Sequence, residues 1–152
     1  MNYNFPLIIL TYLQIWIQMT TSEIIYTGGL HCKATHTKSG VVIETDAPTD
    51  NHGKGESFSP TDSVANALGT CMLTTMGIAA NGRGLNIDNA TAKIIKVMAS
   101  GPRRISEIHV EITFPPNNYT EEQKKTLEDI AINCPVAKSV HPDIKQKVTF
   151  FY

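Results

Sequence analysis

The sequence has no Cys-x-x-Cys pair, no excess of charge of either sign, and no Lys or Arg among its first eighteen residues. Each absence narrows what the chain does. Thirteen basic residues against fourteen acidic ones leave no electrostatic footprint for a nucleic-acid backbone or an anionic membrane surface. Three cysteines, at positions 32, 71 and 134, are too few and too widely spaced for a secreted disulfide framework, which favours the cytoplasm. Neither they nor the five histidines fall at paired metal-ligand spacing, so no metal or cofactor is expected. The apolar run from Phe5 to Ile17 has no charged flank for a secretory signal, is interrupted by Thr11 and Gln14, and is short for a membrane span. Residues 1–18 are therefore set apart as an N-terminal extension, translated upstream sequence or an arm for a partner subunit, ahead of a domain over 19–152.

What is present suits one domain: 152 residues of ordinary globular composition with no low-complexity segment. Short β-rich runs at Glu23–Tyr26, Leu30–Thr37 and Val41–Glu44 are separated by Gly28-Gly29 and Ser39-Gly40, the pattern of a meander. The stretch from Asp46 to Ser59 holds Pro48, Gly53 and Gly55 and reads as a long loop. Ser59-Pro60-Thr61-Asp62 then announces a helix. Ser59 suits the N-cap, Pro60 the first helical position, and Asp62 the positive end of the dipole. From Ser63 to Ala80 the helix carries no charge. Val64, Leu68, Cys71, Thr75 and Ile78 fall on one face and Ala65, Met72, Met76 and Ala79 on another, so it is expected at the centre of the fold.

Two further strands are expected over Thr91–Ala99 and Ile105–Phe114, the second alternating Ile108, Val110, Ile112 and Phe114 with Glu107, His109, Glu111 and Thr113. Thr120 and Gln123 form a capping box for a second helix, Cys134-Pro135 opens a further helical turn, and Ile144–Tyr152 reads as a last strand. The order is three strands, a long helix, two strands, a helix pair and a strand, an α+β arrangement with antiparallel sheet.

The cysteines differ in context. Cys71 lies in an apolar helix, where a cysteine usually packs as a small hydrophobe. Cys134 directly precedes a helical turn, where unpaired N–H groups favour a thiolate; the alternative is an N-cap at an irregular junction. Cys32, flanked by His31 and Lys33 in a strand, is read as incidental. Two thiols that meet can carry out peroxide chemistry: one attacks the O–O bond and becomes a sulfenic acid, and the second condenses with it to a disulfide.

Ser59-Pro60-Thr61-Asp62 leading into Ala67-Leu68-Gly69-Thr70-Cys71, followed by Asn133-Cys134-Pro135-Val136-Ala137-Lys138-Ser139-Val140, resembles the OsmC/Ohr family of osmotically inducible and organic hydroperoxide resistance proteins. The similarity extends from about Met19 to Tyr152. It implies antiparallel sheets wrapped around two central helices in an intertwined homodimer, with a peroxiredoxin-like stress-response activity at the subunit interface. It also implies reduction of organic hydroperoxides by Cys71 as nucleophile and Cys134 as resolving thiol, with recycling by a dithiol reductant. Characterised members pair the nucleophile with an N-terminal arginine and a glutamate directly after the helix-opening proline. Here Thr61 stands at the glutamate position and no arginine precedes Arg83. Asp62 is the substitute carboxylate and the third expected catalytic residue, although helix capping also explains it. His31 is the cationic candidate and Glu56 a further carboxylate. A different class of function for the same fold is non-catalytic binding of a small acyl or lipid-like ligand, with the cysteines merely packed.

Overall fold

The computed structural model describes residues 20–152, so the N-terminal extension expected over 1–18 lies outside the described residues. Two compact units divide the chain after Pro60.

The first unit is a three-stranded antiparallel meander of β1 (Ser22–Gly28), β2 (His31–His36) and β3 (Val42–Asp46), in that spatial order. The β1–β2 turn bends through positive φ at Gly28, Gly29 and Leu30, a conformation for which two glycines remove most of the steric cost. The loop after β3 contains a short 3-10 turn at Thr49–Asn51 where an irregular connection is expected. Its closure depends on Gly53, because a Cβ there would lie 1.6 Å from the Ala47 carbonyl oxygen.

The second unit contains α1 (Pro60–Asn81, which begins at the boundary residue), β4 (Thr91–Ser100), β5 (Arg103–Thr113), α2 (Glu121–Ile132), α3 (Pro135–Ser139) and β6 (Lys145–Phe151). The sheet order is β4-β5-β6. Strands β4 and β5 form an antiparallel hairpin, whereas β5 and β6 run parallel, from Glu107 opposite Lys145 to Thr113 opposite Phe151. The expectation of antiparallel sheet throughout is therefore corrected for the last strand. Parallel neighbours require a crossover, and the segment carrying α2 and α3 provides it.

The alternation expected of β5 is present: Ile108, Val110 and Ile112 are fully buried while Glu111 and Thr113 face outward. They meet the buried row of α1, which is Ala65, Leu68, Gly69, Met72, Met76 and Ala80. This differs from the expected grouping, because Leu68 joins Met72 and Met76 while Val64 and Ile78 stay exposed; the helical repeat of 3.6 residues brings 65, 68, 72 and 76 into one stripe. A Cβ on Gly69 would lie 2.4 Å from Ile94 Cδ1, so this glycine sets how closely β4 approaches the helix, two residues before Cys71. The capping box of α2 forms with both hydrogen bonds, Gln123 N–H to Thr120 Oγ1 and Thr120 N–H to Gln123 Oε1, a motif worth about 1 kcal/mol. Leu127 and Ala131 then bury its inner stripe against the same core.

Candidate active site

Cys71 sits at the middle of the longest described helix, half-buried and packed against the core of the second unit. Cys134 is 1% exposed and occupies the extended residue before α3, with Pro135 at the first helical position. At that position the Cys134 Sγ accepts the Ala137 N–H of the turn that follows, at 3.4 Å. The Cys71 side chain lies close enough to act on the Cys134 thiol. Two residues far apart in sequence thus come near one another, and both are free cysteines.

Burial pushes the Cys134 thiol above its ordinary range. The Ala137 N–H pulls the other way, and the hydrogen bond and charge of Cys71 add to the rise. Position before a helical turn alone predicted a thiolate at Cys134. That expectation is corrected, because desolvation outweighs one backbone donor in so enclosed a site.

Asp62 lies in the first turn of α1, where its carboxylate pairs with Lys96 Nζ of β4 at 2.6 Å. The same ammonium donates to Thr61 Oγ1 at 2.8 Å. Nine helical steps lead from Asp62 to Cys71, about 13 Å at 1.5 Å per residue, so the carboxylate does not reach that thiol directly within one chain. Lys96 was not singled out from sequence. Its only signal is a lysine at an inward-facing position of a strand, where its side chain is 15% exposed.

In the first unit, His31 and Glu56 meet at Asp46. His31 Nδ1 donates to Asp46 Oδ1 at 2.5 Å, and the Glu56 backbone N–H donates to Asp46 Oδ2 at 3.0 Å. Asp46 is 5% exposed, and the His31 hydrogen bond holds its carboxyl below the ordinary value against the opposing effect of burial. On the outer face of the second sheet, Glu107 accepts from Lys147 at 2.5 Å and His109 at 2.8 Å, which holds it at about 2. Cys32 pairs across strands with Tyr26 and Thr45.

At the far end of α1 a cavity of about 100 Å³ is lined by Ala79, Arg83, Leu85, Glu122 and Leu127, among others. Ligand pockets generally run to about 300 Å³ or more.

A family model described as OsmC-like protein matches residues 53–149. The chain belongs to the OsmC family. A crystallised protein of Psychrobacter arcticus 273-4, provisionally described as an osmotic stress induced and detoxification response protein, is 50% identical. Its TM-score is 0.84, with 87% of this chain and 96% of that one covered. The organic hydroperoxide resistance protein OsmC of Legionella pneumophila shares 14% identity at a TM-score of 0.69, over 88% of this chain and 98% of its own. The organic hydroperoxide resistance protein OhrB of Bacillus subtilis shares 14% identity at 0.62, over 87% and 98%. These two likenesses establish a common fold. No match was found among curated proteins. The α+β architecture of this OsmC-family chain is thus that of the OsmC/Ohr proteins, with a mixed second sheet.

Proposed function

We propose that this OsmC-family protein is a thiol-dependent peroxidase that reduces organic hydroperoxides through a disulfide between Cys71 and Cys134. The observation that carries the reading is the nearness of the two cysteines, one on α1 and the other at the start of α3. The sense of their coupling supports the division of roles. Cys134, raised first by its burial, suits the thiol that waits in its protonated form for the second step, and the family resemblance gives Cys71 the first.

The Cys71 thiolate attacks the outer peroxide oxygen and the O–O bond breaks. The alkoxide leaves and takes up a proton as an alcohol, and Cys71 becomes a sulfenic acid. The Cys134 sulfur then attacks the Cys71 sulfur. The sulfenic oxygen leaves as water with the thiol proton, and an external dithiol reduces the resulting disulfide. Asp62 enters as a positioning carboxylate that holds Lys96, a different arrangement from the family's arginine and glutamate. Activity without that usual pair is expected to be slower, since the thiolate loses a cation and the peroxide oxygen a donor.

A homodimer completes the proposal. On α1, Val64 and Ile78 are exposed, Ile78 by 69%, on a helix with no charge between Ser63 and Ala80. In the first unit one face of the meander exposes Ile24, Tyr26 and Ile43. Apolar surfaces of this kind favour cover by a second copy. The cytoplasm, where dithiol reductants keep the pair reduced, is the proposed location.

Thiol titration before and after stoichiometric cumene hydroperoxide tests the reading. Two thiols per chain are expected to disappear, none of that loss surviving Cys71→Ser, and only one thiol oxidised in Cys134→Ser. No oxidation at millimolar peroxide overturns the enzyme and leaves a binding protein of the same fold.

A further inference from the structure

Strand β6 alternates, with Gln146, Val148 and Phe150 on its more buried side and Lys145, Lys147 and Thr149 outside. Val148 and Phe150 pack against the core, as an inward row should. Gln146 breaks the pattern, because an amide stands where an apolar side chain is expected. Its Nε2 donates to the carbonyl oxygen of Ala137 at 2.9 Å. Ala137 is buried, and its own N–H is the group that donates to Cys134 Sγ.

The three carbonyls that precede that of Ala137 are satisfied from within the turn. Cys134 O accepts from Lys138 N–H, Val136 O from Val140 N–H, and Pro135 O from the Ser139 hydroxyl. Gln146 thus ties to the sheet a turn that otherwise closes on itself. A buried carbonyl left without a donor is costly, so the turn without Gln146 is expected to rotate Ala137 toward another partner and carry Cys134 with it.

We propose that Gln146 is a positioning residue that holds the Cys134 thiol within reach of Cys71, acting through Ala137. The inference rests on the peroxidase reading for its consequence: Gln146 governs the second step, condensation of the Cys71 sulfenic acid with the Cys134 thiol to a disulfide and water. It leaves the first step, attack of Cys71 on the peroxide, unchanged.

The test compares the wild-type protein with Gln146→Met, which keeps length and loses the donor, and with Gln146→Lys, which restores a donor of similar reach. The lifetime of the sulfenic acid is measured by dimedone trapping after one equivalent of cumene hydroperoxide. In Gln146→Met it is expected to lengthen about fivefold to tenfold, the factor a lost hydrogen bond of ordinary strength carries, with Gln146→Lys recovering much of it. The rate of first thiol loss stays within about twofold, a split that general loss of stability would not produce. Closure of the same disulfide by diamide, which oxidises neighbouring thiols without a peroxide, provides the independent arm and should slow by the same factor in Gln146→Met. If the wild-type protein closes with diamide and not with hydroperoxide, the peroxidase reading fails while the diamide rates still decide the role of Gln146. Equal diamide closure in wild type and Gln146→Met, for variants of matched far-UV circular dichroism, overturns the inference.

Discussion

Oxidation of the thiol pair should make the protein more resistant to heat, by an amount that follows from where the cysteines lie. A disulfide from Cys71 to Cys134 closes a loop of roughly 64 residues, which in the chain-entropy account removes about 4 kcal/mol of freedom from the unfolded state. Both residues already pack into the second unit, and their side chains lie near one another before any oxidant arrives. Native-state strain should therefore subtract only part of that gain. For a chain of this size each kcal/mol shifts Tm by about 2–4 °C, so the oxidised protein should melt roughly 8–16 °C above the reduced one. Calorimetry of protein reduced with dithiothreitol, and of the same protein after one equivalent of cumene hydroperoxide, measures the difference. Cys134→Ser is the control, since peroxide should leave its Tm close to that of its own reduced form. A rise of equal size in Cys134→Ser, or no rise in the wild-type protein, would refute the reasoning that these two sulfurs join.

Three further expectations follow from the same geometry. Leu68→Ala empties a fully buried position between α1 and β5 and should cost about 2–5 kcal/mol, read as a lowered denaturation midpoint with an unchanged slope. Glu107 is held at about 2 by Lys147 first and His109 second, against an ordinary value of 4.5. Its folded value is depressed, so its contribution to stability is complete above pH 4.5 and disappears as pH falls through about 2. Glu107→Gln should flatten the dependence of Tm on pH within that window, and an unchanged slope there contradicts the ion-pair account. Asp62, paired with Lys96, stands about 13 Å from Cys71 of its own chain, so in the proposed dimer Asp62→Asn should slow the first oxidation several-fold through Cys71 of a second copy, while leaving sulfenic acid condensation at its wild-type rate. Identical peroxide rates in the two proteins would remove Asp62 from the proposed centre.

Most of the fold was legible because its punctuation is local. Gly28-Gly29 and Ser39-Gly40 mark both turns of the meander, Ser59-Pro60 marks the start of α1, and Thr120 with Gln123 marks the start of α2. The direction of β6 was not legible. Lys145–Phe151 alternates in the same way whether it runs parallel or antiparallel to β5, and only the pairing of Glu107 with Lys145 distinguishes the two. The site divides along the same line. Cys71 and Cys134 stand in sequence motifs that can be read one residue at a time, whereas Lys96 and Gln146 meet their acceptors on other elements, 35 and nine residues away. Their trace is a polar residue on the inward row of a strand, which acquires a meaning only once its acceptor is known. The acidity of Cys134 was misjudged for a related reason: sequence displays the helical turn that lowers a thiol's pKa but not the burial that raises it.

The most direct measurement is mass spectrometry of the non-reduced peptide map after one equivalent of cumene hydroperoxide. The account predicts a single linked species joining the Cys71 and Cys134 peptides, with Cys32 still alkylatable, and recovery of both thiols on addition of a dithiol. A link through Cys32, or Cys71 and Cys134 both unmodified after the peroxide has been consumed, would contradict it.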